Sequence, residues 1–443
     1  MNIHRRNTHA AQKAPGPKGS LVWGSLASFK KDAIGFLSQS VCDHGDVVRL
    51  RFGPVVAHLV NRPEYAEQVL SRGASRYDKH TRSVARLRAV CGGSLLSSDG
   101  PAWLRHRRLI QPVFQPRYLE SLGSTIDDTM TATLDHWSRL SATNGSLDIV
   151  SEMTRLTIAI AAKILFTSDV GDDAETVESS LAVILDDTWR RLEAPLDPSM
   201  ISRKFHRRRF RDAVGRIDAI VYRIIEQRRR CGLVNDDLLS RLLIAHEGQS
   251  ETRLTDQELR DAVVTLLLAG HETTANALAW TFYLVSQSPE KNFELADLRT
   301  VFSEAIRLYP SIWIIERRVI ENDRIGSYAI PRGTTVLISP YLLHRHKEFW
   351  PRPEEFIPER FEPDQLESRQ ACTRPRGAYI PFGLGPHRCI GEHMASLVAT
   401  RIMANVFAKF RLRWIPGQTV GMVPGITLRH SGELEMKPEM VRR

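Results

Sequence analysis

The stretch 254–287, LTDQELRDAVVTLLLAGHETTANALAWTFYLVSQ, constrains the chain more than any other. It contains no proline, and the next one along the chain is Pro289. Thr255 followed by Glu258 has the spacing of a capping box, so a helix is predicted to start there. Apolar residues lie on nearly every side of it, and such a helix is stable only in the middle of a protein. A chain of 443 residues can supply the surrounding layers.

Those layers are predominantly helical from 100 to about 290, where apolar residues recur three and four apart. Elsewhere the texture changes. DVVRLRFGPVVAHLV alternates around a Gly-Pro turn and predicts a hairpin within 45–62, followed by a helix led by Pro63. After Pro310 the runs WIIERRVI, SYAIP and TTVLIS are short, β-branched and broken by Gly and Pro. An amphipathic helix is predicted from about 390 to 410, and short strands around 411–415 and 426–429. The fold class is therefore mainly α with a smaller β-rich part. A polar arm covers 1–19, and a single domain covers 20–443, with β-rich parts at about 45–62, 313–340 and 411–430.

Charge narrows the partners. The 61 Lys+Arg residues against 51 Asp+Glu give a net charge of +10, which suits an acidic protein partner, an anionic cofactor or a membrane surface. No aromatic-interleaved basic stripe or zinc-finger spacing points to nucleic acid. The basic run RKFHRRRFR at 203–211 reads as a solvated loop and helix face, with a peripheral membrane or substrate-entry role as the alternative. Five scattered cysteines, an odd number with no CxxC, predict a reducing, cytoplasmic compartment. The start MNIHRRNTHAAQKAPGPKG has no apolar run, so neither a signal peptide nor an anchor is expected. LTIAIAAKILF at 156–166 is too short to span a bilayer and contains Lys163. No transmembrane anchor is expected.

The segment 382–391, FGLGPHRCIG, sets Cys389 among three glycines and a proline. Such a loop can lie flat against a planar ligand without Cβ clashes. A thiolate ahead of the following helix, predicted to begin at Ile390, would feel the positive end of its dipole. One thiolate cannot complete a tetrahedral zinc site, but it can serve as the axial ligand of a haem iron.

The loop resembles the haem-ligand loop of the cytochrome P-450 family, the haem-thiolate monooxygenases, with Phe382, Gly385, Cys389 and Gly391 at its motif positions. His387 stands where many members carry an arginine that contacts a haem propionate. The resemblance extends to other motifs and implies haem b held between the long central helix and the cysteine loop, with Cys389 as the metal ligand. In AGHETT, 269–274, it implies that Ala269 and Gly270 leave room for dioxygen. Glu272 and Thr273 would be the acid–alcohol pair that orders water and delivers protons. Without the resemblance, these polar residues would bond back to their own helix. Trp103 and Arg107, four apart on one helix, resemble the pair that contacts a propionate, and Arg317 is a second such arginine with Arg318 as its competitor. Arg105, His106 and Arg108 would lie on other faces, either solvated or forming a docking surface for an acidic electron donor. Glu304 and Arg307 would join Arg360 in a structural Glu–Arg–Arg cluster, beyond the local pair that their spacing allows.

The chain departs from the family between Glu272 and Glu304, where members insert further helices. A shortened segment around 288–300 is expected. Val398 stands where an acidic residue is frequent.

The resemblance implies a monooxygenase that acts on a hydrophobic small molecule with O2. No GxGxxG in a strand–helix context and no length for a fused reductase are present. Electrons would therefore come from an external ferredoxin or flavodoxin. The alternatives are a haem-thiolate isomerase or dehydratase, against which Glu272 and Thr273 argue, and an inactive haem-binding relic, which the shortened segment keeps open. Family geometry lines the substrate pocket with the 80–98 loop, Val264–Leu268, Ile312–Ile315 and Gly425–Thr427. DHGDVVRL, RRLIQPVF and SIWIIERR are similar to bacterial terpenoid oxidases. A terpenoid is therefore the first expectation, with fatty acids and steroids behind it.

Overall fold

The computed structural model describes residues 12–167, 173–193, 200–231, 237–247, 254–288, 293, 297–362 and 374–441. They divide into two compact units.

The first unit gathers the described residues up to Thr81 with Ile314–Pro351 and Pro375–Arg388. Its core is a five-stranded sheet in the order Val47–Phe52, Val55–Val60, Thr335–Ile338, Ile315–Val319, Tyr77–Asp78. The first two strands form the expected hairpin, antiparallel with Val47 opposite Val60 and Phe52 opposite Val55. Val55–Val60 then runs parallel to Thr335–Ile338, which is antiparallel to Ile315–Val319. Val47, Val60, Val69, Leu70, Val336 and Ile338 bury one continuous apolar cluster. The predicted helix at Pro63 ends at Glu67 and widens into a π turn over Gln68–Arg72. From Gln12 onward the arm is strapped to this unit. Gln12 donates its N–H to the Ser327 carbonyl at 3.0 Å, Arg49 donates its N–H to the Pro15 carbonyl at 2.6 Å, and Ala14 is buried.

The second unit comprises described residues of Arg82–Trp313, Arg352–Arg374 and the chain from Cys389. Its central helix is Asp256–Ser286, capped as predicted. The Thr255 hydroxyl accepts the Glu258 N–H, and the Glu258 carboxylate accepts the Thr255 N–H at 2.9 Å. Long helices pack on it, chiefly Ile149–Phe166, and Trp280 stacks on Tyr309 at 3.9 Å between ring centres. Two small sheets complete the unit, one of Leu147–Asp148, Glu435–Met440 and Phe410–Trp414, the other of Met422–Pro424 and Leu428–His430.

Two local expectations are corrected. The 80–98 segment is not all loop, because Arg82–Cys91 is a helix that buries Leu87, Val90 and Cys91 on one face. The helix after the cysteine starts at Glu392 with Gly391 as its cap, since Ile390 and Gly391 are taken up in a turn. Val398 is buried in that helix, which accounts for an apolar residue there. The expected shortening at 288–300 lies largely outside the described residues; the flanking helices end at Ser286 and begin at Leu298.

Candidate functional site

The central helix is buried along most of its length, with one break. Val263–Leu268 and Thr274–Phe282 are buried, whereas Ala269 is exposed and Gly270, Glu272 and Thr273 are half-buried. On its opposite side the helix packs closely, and a Cβ on Gly270 would lie 3.8 Å from the Ala161 methyl. The Thr273 hydroxyl donates to the Ala269 carbonyl at 2.8 Å, and the Ser311 hydroxyl donates to the Thr273 carbonyl at 2.7 Å. Side-chain bonds of this kind compete with the helix ladder and loosen it locally. His271 faces the core, where burial pulls its pKa down, and its ring Nδ1 lies 2.9 Å from the Leu267 carbonyl.

Glu272 is held by residues that sequence reasoning did not assign to it. Arg429 donates from Nε to Glu272 Oε1 at 2.8 Å, and the Thr427 hydroxyl donates to the same oxygen at 2.9 Å. Arg429 also reaches Asp186 Oδ1 at 2.7 Å, and Asn276 donates to the Thr427 hydroxyl at 3.3 Å. Burial opposes the Arg429 charge, but Glu272 and Asp186 outweigh it and hold its pKa above the ordinary value. The only trace in the sequence is an arginine and a threonine in an otherwise apolar closing stretch, GITLR.

Arg107 and Cys389 lie together elsewhere in this unit. The Arg107 guanidinium lies 5.6 Å from the centre of the Trp103 ring, the contact that their i, i+4 spacing predicts. Burial lowers the Arg107 pKa, and a Cys389 thiolate within electrostatic reach opposes that shift. Cys389 is exposed. A Cβ on Gly391 would meet Phe114 at 3.7 Å and the Cys389 sulfur at 3.9 Å. The neighbours of Arg107 do not form one basic surface. Arg105 pairs with Glu258, and His106 is buried beside the same carboxylate; only Arg108 is exposed.

The remaining loop and arginine positions belong to the first unit. Gly385 has φ +74°, and a Cβ there would lie 1.9 Å from the Leu70 carbonyl oxygen, so only glycine fits. Phe382 and His387 are half-buried, as is Arg317. Arg318 is committed to Asp78, with Nε 3.0 Å from Oδ1, while Arg317 donates to the Glu316 carbonyl at 2.8 Å.

Glu304, Arg307 and Arg360 come together in the second unit. Arg307 grips Glu304 through two bonds of 2.7 and 2.8 Å, and Arg360 Nε adds a third at 3.2 Å. The Ile357 N–H also donates to Glu304 at 3.0 Å, and Arg307 donates to the Pro353 and Glu355 carbonyls.

Among the described residues no group of three His, Cys, Asp or Glu side chains is placed to hold a bare metal ion. A single exposed sulfur with a cation nearby suits an iron already held in a macrocycle. Exposed Ala269, beside half-buried Gly270, suits a flat or small molecule against the helix. These residues fit haem b. No helix among the described residues is long and apolar enough to cross a membrane.

Comparison with known proteins agrees. The sequence model of the family described as Cytochrome P-450 matches residues 14–297 and 293–436, two pieces that meet in the connection between Ser286 and Leu298. Cyclooctatin synthase of Streptomyces melanosporofaciens is 31% identical, with 96% of this chain and 95% of the relative covered. Cyclooctat-9-en-7-ol 5-monooxygenase of the same organism is 34% identical over 92% of this chain and 90% of its own. Pentalenene oxygenase of Streptomyces avermitilis is 29% identical over 98% of both. The first of these alignments runs over 449 positions while covering 96% of a 443-residue chain, so the relative has positions that this chain lacks. With family matches across nearly its whole length, the chain belongs to the cytochrome P-450 family and is a haem-b monooxygenase that uses dioxygen, electrons from a redox partner and a hydrophobic substrate.

Proposed function

We propose that the substrate is a cyclic terpenoid and that the electrons come from a separate ferredoxin or flavodoxin. The observation that carries this reading is the break in burial at Ala269–Thr273. It offers a substrate one methyl, one glycine and a half-buried acid and alcohol, within a helix that is otherwise core. A surface with so few polar anchors suits an apolar molecule. The terpenoid class is supported by relatives named as oxygenases of cyclooctat-9-en-7-ol and of pentalenene. An acidic donor is supported by the net charge of +10. A cytoplasmic location belongs to the same reading, on the grounds of cysteine usage.

Haem b, when bound, supplies the activation of dioxygen and the insertion of one oxygen atom into the substrate. In this reading Cys389 would be the residue that holds its iron, in a loop whose path Gly385 allows by fitting against the Leu70 carbonyl. Arg107 with Trp103 would meet one propionate, Arg317 and His387 are the further propionate contacts that the family resemblance implies, and Phe382 and Gly391 would pack around the ligand. Arg318 is engaged with Asp78, which supports assigning Arg317 to this role. Glu272 and Thr273 hold water and pass protons, with Arg429 and Thr427 fixing the Glu272 carboxylate. Glu304, Arg307 and Arg360 brace the scaffold.

The test is spectroscopic first. Reduced holoenzyme with carbon monoxide should give the red-shifted Soret band of a thiolate-ligated haem. Cyclic terpenes should then shift the spin state, where fatty acids and steroids do not. Product should form only with NAD(P)H and a ferredoxin or flavodoxin system. A shift with fatty acids alone overturns the substrate class, and turnover supported by neither a ferredoxin nor a flavodoxin system overturns the assignment of the donor.

A further inference from the structure

Lys18–Trp23 is a run of six exposed residues in the first unit, and its tip is apolar. Leu21 is 95% exposed, Val22 65% and Trp23 39%. Large apolar side chains standing side by side in water at a turn are unusual, although single ones are not. The turn is also rigid. Ser20 and Gly24 exchange backbone hydrogen bonds at 3.0 and 2.8 Å, and Gly24 sits at φ +59°, where a Cβ would lie 2.1 Å from the Arg51 carbonyl oxygen.

The carbonyls of this tip need little from water. The Arg51 guanidinium donates to the carbonyls of Ser20, Leu21 and Val22, the latter two at 2.7 and 3.1 Å. The Trp23 carbonyl accepts the Gly53 N–H at 3.0 Å. Four consecutive carbonyls are thus satisfied from within the chain. An ordinary surface turn leaves such groups to solvent, and a segment that enters an apolar medium cannot.

Charge identifies the medium. The first 31 residues contain Arg5, Arg6, Lys13, Lys18, Lys30 and Lys31 and no acidic residue; the first is Asp32. Lys13, Lys18, Lys30 and Lys31 are exposed, and the last two end a helix, Leu26–Lys31, whose first N–H bonds to the Trp23 carbonyl. We infer that Leu21–Trp23 inserts into the interfacial layer of an anionic lipid bilayer, with the flanking lysines on its headgroups. Tryptophan favours that layer, and an apolar tip with a basic collar supplies the two signals that stable peripheral attachment requires. A second copy of the chain is a poorer occupant. Three side chains fall far short of the roughly 800 Å² per partner of a stable interface, and pairing two tips would bring two basic collars together. Attachment would place the enzyme where apolar substrates concentrate.

The test uses holoenzyme with vesicles of phosphatidylcholine alone or with phosphatidylglycerol added. Wild type should sediment with the anionic vesicles and be released by salt. Its tryptophan emission should shift to the blue and be quenched by brominated lipid, and W23F should lose the quenched component. L21S/V22S should lower partitioning by about tenfold or more. K30E/K31E should weaken it and reduce its salt dependence. Both pairs are exposed, so unchanged carbon-monoxide spectra and melting curves should accompany these losses. No binding by wild type, or binding unaffected by L21S/V22S, overturns the inference. So does a lipid-free dimer that L21S/V22S abolishes, which would make the patch a self-association surface.

Discussion

Glu304 is fully buried, with two arginines and a backbone N–H on its carboxylate; Glu272 keeps 15% of its side chain open and holds one arginine and one threonine. Both are helical glutamates in the same unit. The arginines differ as much as the acids. Arg307 has no exposed surface, and it bonds Glu304 and two carbonyls among its partners. Arg429 divides itself between Glu272 and an aspartate that is 68% exposed. One cluster is closed and multiply bonded, which suits bracing. The other is open to the surface that carries the proposed chemistry, and its cation has a second partner toward solvent.

Glu304→Ala should produce the largest effect. It would remove the buried carboxylate that both Arg307 and Arg360 bond, at a cost of about 3–5 kcal/mol. That is much of the stability of an ordinary domain. We expect little folded protein, and poor haem content in what remains, measured by denaturant melts and absorbance. A loss of less than about 1 kcal/mol would remove this cluster from the bracing role.

Glu272→Gln should act almost entirely on turnover. Glutamine keeps an oxygen for Arg429 and Thr427, so stability should stay within about 1 kcal/mol of wild type. Product formation should fall about 10²–10⁴-fold if the carboxylate carries protons. The substrate-induced spin shift should be unchanged, with reducing equivalents diverted to peroxide. Equal loss of stability and turnover would make Glu272 a second bracing residue.

This comparison also shows how far the sequence could be read. The capping box of Thr255 and Glu258 and the Trp103–Arg107 pair were legible because each lies within two helical turns. The Glu304–Arg307 pair was legible for the same reason, and family resemblance extended it to Arg360. The Glu272–Arg429 pair spans 157 positions and joins a helix to a hairpin strand, so no periodicity points to it. Among the elements that escaped, two did so for local reasons. Arg82–Cys91 is rich in arginine, which hid its short apolar face. Glu435–Met440 contains Pro438, which argues against a strand. The strand has its second neighbour only at Glu435 and Met436, so at Pro438 it is an edge where a missing N–H costs nothing.

Arg429→Ala tests the hinge of the comparison. It removes one charge-assisted bond from Glu272 and should cost about 1.5–3 kcal/mol. Turnover should fall less than in Glu272→Gln, because Thr427 still holds the carboxylate, and Arg429→Lys should recover part of it. The solvent isotope effect on product formation should rise in Arg429→Ala, a change that simple destabilisation would not produce.

Asp186→Asn should have the smallest effect. The Asp186–Arg429 pair is mostly exposed on the acid side, and such pairs contribute about 0–1 kcal/mol. Salt screens them further, so even that difference should shrink at high ionic strength. Arg429 would keep its bond to Glu272, and turnover should stay close to wild type at all salt concentrations. A fall in turnover as large as that of Arg429→Ala would mean that Arg429 holds Glu272 only when Asp186 holds Arg429. The open cluster would then operate as one unit reaching from the proposed site to the surface, and its contrast with the Glu304 cluster would rest on location alone.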